Sequence, residues 1–193
     1  EIHYFRIRRG LWDKHLDEAV SAGLKAVSTY VPWAWHEEEE GVFDFDGTSC
    51  PEKDLNGWLR KCREHGLHAI VKPGPFILAE FRGAGLPDWF LENYGDAVRM
   101  HTRSGSKVMS DGVSLFNRDY LEKVKLWYDQ VMPVILKHEL QAGGPVIMMQ
   151  VCNEIGVFSW LSRQADYGNE VRNRFIRWVS ENYRDVTEVN RQW

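Results

Sequence analysis

The stretch from Gly143 to Gly156 restricts the possible folds of this chain more than any other. Gly143, Gly144 and Pro145 end any preceding helix and set up a sharp chain entry. Val146 to Val151 is then a short, almost unbroken apolar run with β-branched residues, the pattern of a strand buried on both faces in a parallel sheet. At its C-terminal end the polarity flips to Asn153 and Glu154. Parallel α/β architectures hold ligands outside the carboxyl ends of their strands, so an amide and a carboxylate there read as a site. Burial raises the pKa of a carboxyl group, and one raised toward neutrality can donate a proton. Glu154 is thus a candidate general acid/base, with Asn153 able to hold a substrate hydroxyl. Taken alone, Glu154 reads equally as a solvated loop carboxylate or a charge at a helix N-terminus.

The rest of the chain shifts that balance. Glu1 to Phe5 reads as a strand, followed by a helix around Leu11 to Val20 that closes at Gly23. Ala26 to Val31 is a second strand, stopped by Pro32, with Trp33, Ala34, Trp35, His36 and Glu37 at its C-terminal end. Asp54 caps a helix whose buried face carries Leu55, Trp58, Leu59 and Cys62 and which Gly66 ends. His68 to Lys72 is the third strand, and Phe76 to Glu80 presents another carboxylate beyond it. A long excursion from Phe81 to about Phe116 contains one short helix from Leu86, with Gly95 as its stop; a loop this long is usually functional. Asn117 caps a third long helix that leads into the Gly-Gly-Pro turn and the fourth strand. Asn169 to Tyr183 reads as a fourth helix, before a short helical piece reaching Trp193.

Strand–helix alternation without hairpin signals predicts a parallel sheet with right-handed crossovers. A doubly wound nucleotide fold would place glycines after the first strand, where Arg6, Ile7, Arg8 and Arg9 stand, and its phosphate-binding motifs are missing. A (β/α)8 barrel instead puts polar and aromatic residues at every strand end, as all four ends do here. The expectation is a TIM barrel of which 193 residues hold about the first four units, since a complete one takes about 250 residues. Residues 1–193 then read as one partial catalytic domain, a fragment at both ends, for which the lack of a leader peptide says nothing about compartment.

Composition narrows the chemistry. A net charge of −4 argues against a nucleic-acid partner, and no apolar run is long enough for a membrane span. Cys50, Cys62 and Cys152 are too few and too irregular for a disulfide framework or zinc site. Nine tryptophans suit a sugar-binding cleft, although a Trp-rich core explains most of them, and packing suits at least one of Trp33 and Trp35. His36 beside Glu37 to Glu40 hints at a metal, but neighbours in sequence are poorly placed to share one ion. That acidic run reads as a solvated loop, with Glu37 alone facing the site. Neither a metal nor a cofactor is expected.

Four blocks in order carry a resemblance: Glu1–Ile7, Thr29–Glu37, Lys72–Phe81 and Gly143–Gly156. They resemble the successive strand-end blocks of glycoside hydrolase family 35, the retaining β-galactosidases of clan A. The resemblance implies Glu154 as proton donor and Asn153 as ligand of the sugar 2-hydroxyl. It implies hydrogen bonds from Tyr30 and Glu80 to galactosyl hydroxyls, with the Ala79 backbone lining the pocket. The family's nucleophile, a Glu ending the seventh strand, would lie beyond Trp193. The implied partner is a β-galactoside or related oligosaccharide; oligomeric state stays open. The chain departs from the family at Cys152 and Ile155, where Glu and Tyr are usual, at Glu38, where Pro is usual, and at Phe76 and Leu78, where Tyr and Cys are frequent. Those departures keep open another β-glycoside such as a β-glucosaminide, a family 42-like enzyme, or a sugar-binding barrel without catalysis. A metal- or phosphate-dependent barrel enzyme is a further alternative.

Overall fold

The structure, a computed structural model, describes residues 1–108, 112–156 and 166–193. The chain divides into two compact units, Glu1–Asn93 with Val124–Ile155, and Tyr94–Lys123 with Gly156–Trp193. Among the described residues no helix is long and apolar enough to cross a membrane.

The first unit is built on a three-stranded parallel sheet in the order β1 (Ala26–Tyr30), β2 (His68–Gly74), β3 (Val146–Val151). β1 and β2 run in simple register, Ala26 opposite His68 and Tyr30 opposite Lys72, whereas β2 and β3 shift register twice. Helices α1 (Trp12–Ser21) and α3 (Leu55–Glu64) flank the sheet, with the short turn α2 (Trp33–His36) between them in sequence. α3 begins where predicted: Asp54 Oδ1 accepts from Gly57 N at 2.6 Å, and its buried residues include Leu55, Trp58, Leu59 and Cys62. α1 buries Trp12, Leu16 and Ala19, while its N-cap Leu11 and Val20 near its end are exposed.

The predicted first strand does not form. Ile2 N donates one bond to Ser28 O at 3.0 Å, and the chain then turns into a 3-10 helix over Tyr4–Arg6. The indole N–H of Trp12 explains the bend, because it is shared between the carbonyls of Tyr4 and Ile7 at 3.2 and 3.1 Å. Tyr4 and Phe5 are both buried in this turn.

Aromatic rings fill the core beneath the strand ends. Trp12, Trp33, Trp58 and Trp127 are all but fully buried, and burying a large apolar side chain contributes about 1.5–3 kcal/mol. From α5 (Arg118–Leu136), Trp127 Nε1 donates to Pro73 O at 2.8 Å and Tyr128 OH to Gly74 O at 2.6 Å, so this helix clasps the end of β2.

The glycine turn before β3 behaves as expected. Gly143 has φ of +76°, and a Cβ on Gly144 would lie 2.0 Å from the His138 carbonyl oxygen. β3 itself does not. Only Val146 is buried, while Ile147, Met148, Met149 and Val151 are exposed, since β3 is the sheet's edge.

In the second unit, antiparallel bridges join Arg99 to Val113 and His101 to Lys107, and helices cover Asn169–Asn182 and Val186–Gln192. Helix α4 (Asp88–Val98), which begins in the first unit, runs through Gly95, expected to stop it, and ends on the buried Val98. Gly95 has no positive φ and open space around it, so nothing there breaks the helix. Asn117 caps α5, its Oδ1 accepting from Tyr120 N at 3.1 Å.

Candidate active site

The ends of β1, β2 and β3 are tied side by side beyond the last regular strand pairs. Val31 N donates to Lys72 O at 2.9 Å, Cys152 N to Gly74 O at 2.9 Å and Asn153 N to Phe76 O at 2.8 Å. The Asn153 side chain continues this seam, with Nδ2 donating to Ile77 O at 2.9 Å. Gln150 Nε2 in turn donates to Asn153 Oδ1 at 3.1 Å and to Cys152 O at 2.9 Å. The amide therefore keeps one N–H and one lone pair for a further partner. These bonds hold the Asn153-Glu154 corner against the turn that carries Ala79 and Glu80.

Both corners are conformationally unusual. Among the described residues, positive φ outside glycine occurs at Leu78, Ala79, Glu80, Ala84, Cys152 and Glu154, all in the two loops that follow β2 and β3. Such backbone costs about 1–3 kcal/mol per residue and persists where surrounding bonds over-determine it. The turn is closed by Phe81 N donating to Leu78 O at 2.8 Å and Ile77 N to Ala84 O at 2.8 Å. Arg6 Nη2 reaches the Ala79 carbonyl at 2.6 Å.

Tyr30 ends β1 with 6% of its surface exposed. Burial pushes its phenol up, the Lys72 ammonium opposes that, and the carboxylates of Glu1, Glu154 and Glu80 push it further up. One phenol thus feels the charges of all three carboxylates. Glu80 and Glu154 are exposed, and among the described residues neither takes part in a hydrogen bond or ion pair. The burial expected around Glu154 is missing here because β3, which delivers it, is an uncovered edge.

Lys72 and Glu1 complete the cluster, and sequence reasoning gave neither a role there. The Lys72 ammonium lies 4.8 Å over the Tyr30 ring and is paired with the Glu1 carboxylate, which also accepts from Ser28 Oγ at 3.2 Å. The hydrogen bond from Lys72 holds the Glu1 carboxyl below its usual range. The available signal was register: Lys72 is the strand partner of Tyr30. His3 packs against Tyr30 at 5.1 Å between ring centres, and burial pushes its imidazole down.

The block Trp33 to Glu37 turns out to be internal support. Trp33 is 1% exposed and packs on Phe90 and Trp127, which makes it core and no sugar platform. Glu37, expected in a solvated loop or facing the site, is buried, accepting from Trp33 Nε1 and from Gly41 N at 2.7 Å. Lys53, also buried, is paired with Glu38 at 2.9 Å. His36 is 1% exposed with both ring nitrogens engaged, Nε2 with Tyr4 OH and Nδ1 with Asp44 O, each at 2.5 Å. A carbonyl can only accept, so Nδ1 carries the proton and Nε2 accepts from Tyr4. Burial pushes this imidazole down to about 4, and with neither nitrogen free it cannot bind a metal.

Parallel strands whose ends bring carboxylates, an amide and a phenol to one edge define a class of fold, the parallel α/β proteins that hold ligands beyond the carboxyl ends of their strands. The fold agrees with the catalytic domain of a β-amylase from Paenibacillus polymyxa, a TIM barrel, at a TM-score of 0.61 and 16% identity, over 95% of this chain and 46% of that one. The family is specific: the model of glycosyl hydrolases family 35 matches residues 1–192, and the chain belongs to that family. It is 43% identical over 190 residues to a β-1,2-glucosyltransferase of Ignavibacterium album, covering 98% of this chain and 26% of the relative. It is 34% identical over 191 residues to an exo-β-D-glucosaminidase of Pyrococcus horikoshii, covering 94% and 24%. With a β-galactosidase of Mus musculus the identity is 35% over 174 residues, covering 90% and 24%. The chain spans about a quarter of the length of these relatives.

Proposed function

We propose that residues 1–193 contribute the first four units of a (β/α)8 catalytic domain that acts on terminal β-glycosides with retention of configuration. Glu1 to Phe5 would take the place of the first strand, a reading supported by the backbone bond from Ile2 N to Ser28 O in β1. Glu154 acts as the acid/base. It protonates the departing glycosidic oxygen, then removes a proton from the acceptor that attacks the glycosyl-enzyme. Asn153 holds the 2-hydroxyl through the N–H and lone pair it has left. Tyr30 and Glu80 hold further hydroxyls, and Ala79 lines the pocket with its backbone. The attacking carboxylate, about 5–5.5 Å from Glu154 in a retaining geometry, belongs to no residue assigned in this chain.

The observation that carries this reading is the seam at Asn153. Its backbone and side chain bind Phe76 O and Ile77 O, so the acid/base and the hydroxyl-binding turn sit on one corner.

For the sugar, the first reading is a β-D-galactosyl residue at the non-reducing end, supported by the family and the mouse relative. A second reading, a β-glucosyl or β-glucosaminyl residue, is favoured by Phe76, Leu78 and Cys152, apolar or weakly polar where the family usually offers hydroxyl, thiol and carboxylate groups. The names of the relatives from Ignavibacterium album and Pyrococcus horikoshii point the same way. If the acceptor is a sugar, the same chemistry is transfer; if it is water, hydrolysis.

The test uses the full-length protein with matched aryl β-galactoside, β-glucoside and β-glucosaminide, following the first-formed product by NMR. A β-configured product is expected, and an α-configured one would remove the retaining mechanism. The highest kcat/KM on the galactoside supports the first sugar reading; preference for either other substrate replaces it.

A further inference from the structure

The turn that presents Ala79 and Glu80 has three successive residues in the left-handed region, Leu78, Ala79 and Glu80, with φ of 53°, 50° and 48°. A Cβ-bearing segment relaxes from such a conformation unless it is gripped. Two side chains from distant elements grip it. On one side Asn153 Nδ2 holds the Ile77 carbonyl from the end of β3. On the other, Arg6 Nη2 holds the Ala79 carbonyl at 2.6 Å from a segment 73 residues away. Arg6 is itself oriented: its guanidinium lies over the Phe5 ring at 5.4 Å. The buried Phe5 in turn meets Phe81, the residue after Glu80, edge to face at 5.7 Å. The 3-10 helix Tyr4–Arg6 is thus bound to the strained turn by both a charged hydrogen bond and an aromatic contact.

We infer that Arg6 is a positioning residue: by holding the Ala79 carbonyl it sets the direction of the Glu80 carboxylate relative to Glu154, without touching the sugar. This rests on the reading of Glu80 as a hydroxyl-binding group. Arginine suits the task because its planar guanidinium can lie flat on Phe5 while one N–H points at the carbonyl. A lysine ammonium offers the hydrogen bond but not the stacking.

The experiment is a double-mutant cycle in the full-length protein, with Arg6→Met, Glu80→Gln and the pair, reading kcat, KM and the melting temperature on the best glycoside. Arg6→Met should lower kcat/KM about tenfold to a hundredfold, as misplacement of a binding group does, mostly through KM. In the Glu80→Gln background it should cost less than about threefold further, because the group it positions is already disabled. Arg6→Lys should recover part of the loss. Equal factors in both backgrounds, or a lowered melting temperature with unchanged kcat/KM, would overturn the inference and leave Arg6 a structural residue. If Glu80→Gln alone leaves kcat/KM intact, the binding role of Glu80 fails and the inference falls with it. That result is distinct from a damaging Glu80→Gln combined with a silent Arg6→Met, which removes only the role of Arg6. Should Arg6→Met not fold, Arg6→Lys and Arg6→Gln complete the same cycle.

Discussion

Asn153 shows how much one side chain can carry. Its amide ties β3 to the turn after β2 and still has one donor and one acceptor, which the proposed function assigns to a sugar hydroxyl. Asn153→Ala should therefore damage both properties in the full-length protein, lowering stability by about 1 kcal/mol and kcat/KM by at least tenfold. Denaturant unfolding and steady-state kinetics read the two losses. Glu80→Gln should separate them. Glu80 is exposed and, among the described residues, without a hydrogen-bond partner, so the variant should raise KM about tenfold and leave the melting temperature unchanged. At this scale the position of the candidate groups was legible where they cluster along the chain: Asn153 and Glu154 follow β3, and Ala79 and Glu80 follow β2. Contacts between distant segments stayed hidden. Arg6 on Ala79 O, Glu1 on Lys72 and His36 between Tyr4 and Asp44 exist only once the fold brings those residues together.

Elements were legible where local signals act alone. The Asp54 and Asn117 caps begin their helices as read, and the Gly-Gly-Pro turn sets up β3. They were misread where a long-range contact decides. Trp12 folds Tyr4 to Arg6 into a 3-10 turn that alternation rules do not anticipate. Two glycines make the contrast testable. Gly144→Ala would press a Cβ against the His138 carbonyl and should destabilise by about 2 kcal/mol or more. Gly95→Ala sits inside a helix with open space around it and should stabilise by about 0.5–1 kcal/mol. Urea unfolding of the full-length protein gives both signs; a neutral Gly144→Ala would mean the turn is looser than described. β3 read as buried because its residues are apolar, yet an apolar edge strand gives the same pattern, and what covers it is not written in its own sequence.

For the molecule as a whole, the buried aromatic layer should set a pH limit on stability. His36 is held neutral by burial, with its folded pKa down to about 4 against an unfolded value of 6.5. The unfolded chain thus binds the extra proton as pH falls from 6.5 toward 4. The contribution of His36 is complete above pH 6.5, shrinks by up to about 1.4 kcal/mol per pH unit below it, and levels off near pH 4. His36→Gln should flatten that part of the stability profile relative to the parent, whatever its effect on stability at neutral pH. Parallel slopes in both proteins would show that His36 is not held neutral. The central claim concerns Glu154, and the leaving-group dependence of Glu154→Gln in the full-length protein tests it most directly. Loss of the general acid should lower kcat/KM by about 10²–10⁴-fold on an alkyl β-glycoside. It should cost far less on an aryl β-glycoside whose leaving group needs no proton. Equal losses on both substrates, or no loss on either, would contradict the assignment of Glu154 as the proton donor.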